Sequence, residues 1–181
     1  MSSKEYEFYN ACEENNLEKV KELSLQIDDI NWGNPNDYDR TGLLVSCLLG
    51  NKEIVEYLIS HPKINVNKED KYGQTPLYVA CWKGNEEIVK ILLKDERVNV
   101  NKENKDGYTP LYNACLWGRE EIVKILFASG REIDTMKKTN TNTTAAEVAR
   151  KRGNEQIAKL VDEYAKNPME TTARLRKEMS K

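Results

Sequence analysis

The fold is decided by a segment that occurs twice, as KYGQTPLYVACWKGNEEIVKILL at residues 71–93 and as KDGYTPLYNACLWGREEIVKILF at residues 105–127. The two copies align without a gap at an offset of 34 residues. A third copy lies one period earlier, at residues 41–58, and looser copies flank the three at residues 10–23 and 144–161. A fixed period of this length indicates a repeat architecture, in which each unit buries its apolar face against its neighbours.

Each unit has the pattern of two short helices. Thr75 supplies a capping oxygen for the first helix, and Pro76 suits its first position. Gly84 stands where the first helix ends and a left-handed residue is needed. The acidic pair Glu86-Glu87 favours the positive end of a second helix, whose remaining residues are mostly apolar. The segment that leads to the next unit predicts a short extended stretch and a turn rich in Asn, Asp and Gly.

The four cysteines follow the repeat. They stand 35, 34 and 34 residues apart, at Cys12, Cys47, Cys81 and Cys115. No CxxC pair occurs, which argues against a zinc site, and the spacing places each thiol at the same point of its unit. We therefore interpret them as small buried hydrophobic residues rather than as disulfide partners or ligands.

The repeat resembles the ankyrin repeat, whose hallmark is a Gly-x-Thr-Pro-Leu-His-x-Ala run followed by a Gly and an Ile-Val-x-x-Leu-Leu helix. Residues 73–80 and 107–114 carry this run, with Tyr78 and Tyr112 in place of the His. In the preceding unit Gly42 replaces the Pro, so we expect that helix to start less firmly. The resemblance implies an all-α repeat fold, a solenoid of stacked helix-turn-helix units with short β-hairpin-like links.

The resemblance covers roughly residues 5–164 and divides the chain into about five units. We predict an ankyrin repeat domain over residues 1–166 and a C-terminal segment over residues 167–181. Within the domain we expect a cap, three repeats and a degenerate last repeat, at residues 1–33, 36–69, 70–103, 104–136 and 139–166. The end units are polar, as expected where one face of an array meets water.

A further helix is predicted over residues 167–179. Asn167 would cap it, Pro168 would occupy the first position, and Glu170 would close a capping box. An apolar stripe facing the last unit would consist of Met169, Thr172, Leu175 and Met179. We interpret this helix as an extra cap of the array, with a partner-binding helix as the alternative.

The chain has 28 basic and 30 acidic side chains, a formal net charge of −2. This balance argues against nucleic-acid binding and against a polybasic membrane anchor. The charge is unevenly spread, from −5 over residues 1–33, through −2 over residues 34–134, to +5 over residues 135–181. The longest apolar run, at residues 43–49, is too short to span a membrane, and Met1-Ser2-Ser3 leads into no signal peptide. We expect a cytoplasmic protein, with the nucleus or delivery into another cell left open by the sequence.

The sequence offers little that could perform catalysis. His61 is the only histidine and precedes a proline in a polar link. No nucleophile motif, Gly-rich phosphate loop or metal-binding motif occurs. The recurring Glu pairs fit helix starts. We therefore expect no enzyme activity, no cofactor and no metal.

The ankyrin resemblance implies a concave binding groove lined by the link tips and by the ends of the first helices. The residues before each repeat glycine are Glu13-Glu14, Leu48, Leu49, Trp82, Lys83, Leu116, Trp117, Lys151 and Arg152. The tip positions add Tyr38, Arg40, Tyr72, Gln74, Asp106 and Tyr108. Aromatic and Arg side chains are typical of interface centres. We expect a protein or peptide partner, an extended or helical segment with apolar anchors, and charges complementary to the acidic and basic ends of the groove. The alternative is that these side chains pack on neighbouring units.

Other functions fit the same repeat. Asn67 and Asn101 occupy the position that asparaginyl hydroxylases modify in ankyrin repeats, which makes them modification candidates. The chain could also be a regulatory or scaffold subunit of a larger assembly, including a homo-oligomer, although we expect a monomer when it is alone. The resemblance does not identify the partner, because one repeat fold supports many functions.

Overall fold

A computed structural model of the protein describes residues 4–181. Residues 1–3 lie outside the described residues. The predicted cap begins there, and so does the N-terminal stretch in which we expect no signal peptide. Within residues 4–181 the chain forms eleven helices and two short strands. These are α1 (Lys4–Glu13), α2 (Leu17–Ser24), β1 (Gly33–Asn34), β2 (Arg40–Thr41), α3 (Gly42–Leu49), α4 (Lys52–Ser60), α5 (Pro76–Lys83), α6 (Glu86–Leu93), α7 (Pro110–Leu116), α8 (Glu120–Ala128), α9 (Ala145–Lys151), α10 (Glu155–Lys166) and α11 (Pro168–Met179).

The helices form two rows. The first helices of the units, α1, α3, α5, α7 and α9, contact one another in chain order, and the second helices α2, α4, α6, α8 and α10 form the other row. One continuous hydrophobic core runs between the rows, from Phe8 in α1 to Leu175 in α11. The predicted fold, an all-α solenoid of helix-turn-helix repeats, is confirmed.

The predicted helix boundaries follow from local chemistry. Thr75 Oγ1 accepts a hydrogen bond from the backbone N–H of Tyr78 at 3.2 Å, with Pro76 at the first helical position, as predicted. Thr41, Thr109 and Thr144 cap α3, α7 and α9 in the same way. Gly84 ends α5 with φ +90°, a left-handed conformation that glycine adopts without a steric cost.

The links between units are turns closed by backbone hydrogen bonds. Among the described residues only the first link contains strands, an antiparallel pair in which Gly33 lies opposite Thr41. In the next two links, two backbone bonds close each turn. Asp70 N donates to Gln74 O at 3.1 Å and Asn104 N to Tyr108 O at 3.0 Å, while Gly73 N and Gly107 N donate back to Asp70 O and Asn104 O at 3.0 Å. The hairpin-like links are therefore tight turns rather than sheets.

Gly42, which stands in place of the repeat proline, is explained by packing against the first unit. A Cβ atom at this position would lie 2.8 Å from the Sγ of Cys12 and 2.9 Å from Cε1 of Phe8. Both of these side chains are buried. The helix still begins at Gly42, with the Thr41 hydroxyl as its cap. The glycine lets α1 approach α3 closely.

A repeated side-chain bridge ties each unit to the one before it. The residue after the repeat glycine donates from its side-chain amide to the carbonyl of the preceding unit's cysteine. The bridges are Asn51 to Cys12 O at 2.8 Å, Asn85 to Cys47 O at 2.8 Å and Asn154 to Cys115 O at 3.2 Å. Arg119 interrupts the series and donates from Nε to Trp82 O at 3.4 Å instead. The carbonyl of Cys81 is thus the one that lacks an asparagine bridge.

The four cysteines are buried and reduced, as the spacing predicted. Burial raises the pKa of the Cys12 and Cys115 thiols to about 12. Thiols of this kind stay protonated at neutral pH and are poor nucleophiles and metal ligands. Their contribution is to the packing of the first-helix row.

The C-terminal helix α11 packs against α8 and α10, and two details of its prediction are wrong. The side chain of Asn167 makes no cap bond and forms no capping box with Glu170, because the same residue also ends α10. Met169 is 88% exposed. It lies about 120° around the helix from Leu175, at 3.6 residues per turn, and so misses the buried face.

The face of α11 that meets the array consists of Thr171, Thr172 and Leu175. Leu175 is buried, and the Thr172 hydroxyl donates to the carbonyl of Phe127 at 2.9 Å. Arg176 donates to the carbonyls of Ala128 and Ser129, at 2.7 and 3.1 Å, and so satisfies the C-terminal end of α8. These contacts favour the capping interpretation of α11.

Candidate protein-binding surface

The turns of successive links lie side by side. Backbone hydrogen bonds join each turn to the next, from Lys71 N to Tyr38 O at 2.8 Å, from Lys105 N to Tyr72 O at 3.0 Å and from Asn140 N to Asp106 O at 3.0 Å. The predicted tip residues Tyr38, Tyr72 and Asp106 therefore follow one another along the stack. We call this series the turn row.

The N-terminal part of the turn row carries an exposed aromatic pair. The rings of Tyr38 and Tyr72 lie 5.3 Å apart between centroids, and each side chain is 43% exposed. Lys71 Nζ lies 4.7 Å from the Tyr38 centroid and 5.3 Å from that of Tyr72, and Arg40 Cζ lies 5.0 Å from Tyr38. Cation–π contacts of this kind fix the rings in place. The pair therefore forms a partly exposed aromatic surface at this end of the turn row.

The backbone under this pair is strained. Tyr38 and Asp39 have φ values of +55° and +59°. The left-handed region costs a non-glycine residue roughly 1–2 kcal/mol, and Gly73 and Gly107 hold the position of Asp39 in the next two repeats. Strain retained in this way is frequent at functional sites. The sequence analysis did not predict this strained backbone, although Asp39 stands where the next two repeats have a glycine.

Further along, tyrosines connect the turn row to the first helices. Tyr108 stacks on Tyr112 with 4.6 Å between centroids, and Asn104 Nδ2 donates to the Tyr78 hydroxyl at 3.3 Å. The tyrosines that replace the repeat His are thus buried structural contacts. Gln74, another predicted tip residue, is half-buried, and its Oε1 makes no hydrogen bond.

The ends of the first helices form a second series, which we call the helix-end row. It consists of Leu48-Leu49, Trp82-Lys83, Leu116-Trp117 and Lys151-Arg152 at the ends of α3, α5, α7 and α9. Leu49 is 52% and Trp117 53% exposed, whereas Leu48 and Leu116 pack partly on the core. Lys83 Nζ lies 4.6 Å from the Trp82 ring centroid. The packing alternative therefore holds for Leu48 and Leu116 but not for Leu49 and Trp117.

The two ends of the first-helix series carry opposite charges. Lys151 and Arg152 are exposed at the end of α9, and Glu13 and Glu14 are exposed at the end of α1. Burial raises the pKa of Tyr112, and the positive charge of Arg152 acts against that rise. At these four residues the charges of the predicted gradient are exposed.

The two modification candidates occupy equivalent positions and bridge adjacent links. Asn67 Nδ2 donates to Arg97 O at 2.7 Å, and its Oδ1 accepts from Asn99 N at 2.7 Å. The Asn101 amide makes the same pair of bonds to the link that follows it, at 2.8 and 2.9 Å. Asn31 does likewise and was missed. The 34-residue register aligns Asn31 with Asn65, so its likeness to Asn67 is seen only in the hydrogen bonds.

One cavity lies away from the predicted binding residues. It has a volume of about 620 Å³ and is formed by the second helices α4, α6 and α8 together with α11. Its walls combine apolar side chains such as Ile91 with ion pairs, and Glu87 lies 2.7 Å from Lys90 and 4.0 Å from Lys52. None of the predicted binding residues lines it.

A stack of helix-turn-helix units around one continuous core defines a repeat protein. A family profile described as ankyrin repeats (3 copies) matches residues 8–104 and 96–172, and the chain belongs to the ankyrin repeat family. Ankyrin repeats generally mediate protein–protein interactions and are generally not catalytic. No curated protein matches the chain. No helix within residues 4–181 has the length and apolar character needed to cross a bilayer.

Proposed function

We propose that the chain is a non-catalytic interaction module that binds a segment of a protein partner across the turn row and the helix-end row. Together we call these rows the binding surface. The observation that carries the proposal is the position of the exposed apolar side chains. Among residues 4–181 eight large hydrophobic side chains are exposed, and Tyr38, Leu49, Tyr72 and Trp117 belong to the binding surface. Exposed apolar patches of this kind mark contact sites.

The expected energetics centre on the tryptophans. Trp117 is 53% exposed, so contact with a partner would remove on the order of 100 Å² of its surface from water, worth about 2.5 kcal/mol. Trp82 is half-buried, with Lys83 over its ring, and has less surface to lose. Truncation of interface anchors typically costs 2 kcal/mol or more.

The proposal is tested by selection of random displayed peptides of about 16 residues, which span roughly 50 Å when extended, on the immobilised full chain. Peptides that become enriched should bind Trp82→Ala/Trp117→Ala at least about 30-fold more weakly, which corresponds to about 2 kcal/mol. The matched control is Leu25→Ala/Met136→Ala, which removes two exposed apolar side chains outside the binding surface. Equal binding to the wild type and the tryptophan variant, or no enrichment, would refute the proposal.

Modification of Asn67 and Asn101 is a second proposal. The two side chains make the same pair of hydrogen bonds, and Asn31 shares them. A hydroxylase that accepts one should therefore accept the others. Intact-mass measurement after co-expression with an asparaginyl hydroxylase should show additions of one to three oxygens. An unchanged mass would exclude hydroxylation of these asparagines.

A regulatory or scaffold role in a larger assembly is a third proposal, and it includes assembly with copies of the chain itself. Light scattering at increasing concentration distinguishes the cases. A constant mass supports the monomer that we propose, and a rising mass supports a homo-oligomeric scaffold. We also propose a cytoplasmic location, which imaging of the tagged full chain would test.

A further inference from the structure

Five cations along the binding surface have no ionic partner. Within residues 4–181 no carboxylate oxygen lies within 4.0 Å of the charged groups of Lys71, Lys83, Lys105, Lys151 or Arg152. All five are exposed. They extend over three repeats, from the first tyrosine pair to the end of α9.

Three of the second helices differ. The lysines within α4, α6 and α8 are Lys52, Lys90 and Lys124, and each lies within 4.0 Å of a glutamate. The charges of these three lysines are therefore largely neutralised within the protein, whereas Lys159 and Lys166 of α10 have no ion pair among the described residues. The exposed anions of the binding surface are Asp39 and Asp106, and Glu147 is exposed one turn before Lys151 in α9. The five cations outnumber these three anions and are available to a partner.

We propose that the partner segment is acidic, with carboxylates placed on either side of aromatic or aliphatic anchors. This inference rests on the proposed function of the binding surface and specifies the chemistry of its partner. The carboxylates would face the five cations, and the anchors would contact Leu49, the tyrosine pair and Trp117. The end of the segment that approaches Glu13 and Glu14 would carry no negative charge. Complementary charges of this kind set orientation and association rate.

A protein segment fits better than a nucleic acid, although both are polyanions. Single-stranded nucleic acids bind through bases stacked on free aromatic faces. Here Lys71 lies over the rings of Tyr38 and Tyr72, Arg40 lies over Tyr38, and Lys83 lies over Trp82. Asp39 and Asp106 would also repel a continuous phosphate backbone. Carboxylates interspersed with apolar side chains match this mixed surface.

The composition of the selected peptides tests the inference first. Enriched peptides should be clearly acidic and should contain aromatic or aliphatic residues among the carboxylates. Neutral or basic peptides that still lose affinity for Trp82→Ala/Trp117→Ala would overturn the acidic partner and leave the binding surface intact. Peptides that bind the tryptophan variant as well as the wild type would overturn the proposed function as well.

Charge reversal then tests the cations directly. Lys71→Glu/Lys105→Glu/Lys151→Glu should bind the enriched acidic peptides at least about tenfold more weakly, mainly through slower association. The matched control is Lys94→Glu/Lys159→Glu/Lys166→Glu, which reverses three exposed lysines that have no ion pair and lie outside the binding surface. Equal losses in the two triple variants would overturn the inference, because they would reflect net charge alone.

The salt dependence of peptide binding and a measurement of RNA binding provide the last two tests of the inference. Raising NaCl from about 0.05 M to about 0.3 M should weaken peptide binding to the wild type more than to the charge-reversed variant, because screening removes the cationic contribution. A labelled single-stranded RNA oligonucleotide should show no binding that depends on Lys71, Lys105 and Lys151. RNA binding lost in the charge-reversed variant, combined with no acidic peptide among the enriched set, would overturn the inference in favour of a nucleic acid.

Discussion

The replacement of Gly42 by alanine tests how the first unit joins the array. The added Cβ would lie 2.8 Å from Cys12 Sγ and 2.9 Å from Phe8 Cε1, whereas carbon atoms in contact prefer about 3.5–4.0 Å. Both neighbours are buried and cannot turn into solvent. Overpacking of a core costs about 1–3 kcal/mol, and alanine regains at most about 1 kcal/mol of helix propensity. We expect Gly42→Ala to lower the free energy of unfolding by about 1–2 kcal/mol.

Urea denaturation followed by circular dichroism measures this change, with an unchanged m-value as the check that the transition is comparable. The matched control is the same substitution in a Cys12→Ala background. Loss of the Sγ atom should reduce the cost of Gly42→Ala by at least about 0.5 kcal/mol, the coupling expected of residues in contact. Gly42→Ala with wild-type stability, or a cost that does not depend on Cys12, would refute the packing explanation.

Three other substitutions test single features. Arg119→Asn should restore the missing bridge to the Cys81 carbonyl and raise the free energy of unfolding by about 0.5–1.5 kcal/mol in urea denaturation; a loss of stability would contradict the bridge. Burial raises the pKa of Asp70, so its ionisation opposes folding and stability should fall as pH rises above the ordinary Asp value of 3.8. Asp70→Asn should remove that decline in pH-dependent urea titrations, and an unchanged profile would contradict the assignment. Leu175→Ala should cost about 2–4 kcal/mol because the side chain is buried, whereas the exposed Met169→Ala should change stability by less than about 0.5 kcal/mol; equal effects would show that α11 is not packed as described.

Local patterns made the repeated part of the fold predictable. The Thr75-Pro76 start, the Gly84 stop and the cysteine period are short-range signals, and the structure realises each of them. They are predictable because capping and helix termination depend on a few adjacent residues.

The remaining features depend on contacts between units, which a local pattern does not contain. Gly42 breaks the Thr-Pro pattern because α1 approaches it closely. The capping box expected at Asn167 fails because this residue serves two helices at once. Asp39 adopts a left-handed conformation under an exposed tyrosine pair, and only the neighbouring repeats reveal that glycine is the ordinary residue there.

For the binding surface, the sequence identified positions but not their exposure. It grouped Leu48 with Leu49 and Leu116 with Trp117, and the structure separates the members of each pair into one packed and one exposed side chain. The difference arises from the direction in which each side chain leaves its short helix. The ion pairs that neutralise the lysines of α4, α6 and α8 are likewise visible only in three dimensions.

Hydroxyl-radical footprinting of the full chain, with and without the tightest selected peptide, tests the binding surface most directly. The eight exposed large hydrophobic side chains act as internal reporters, four on the surface and four outside it. We predict that the peptide protects Tyr38, Leu49, Tyr72 and Trp117 from oxidation and leaves Leu25, Met136, Met169 and Met179 unchanged. Protection of the second set, with the first set still oxidised, would contradict it.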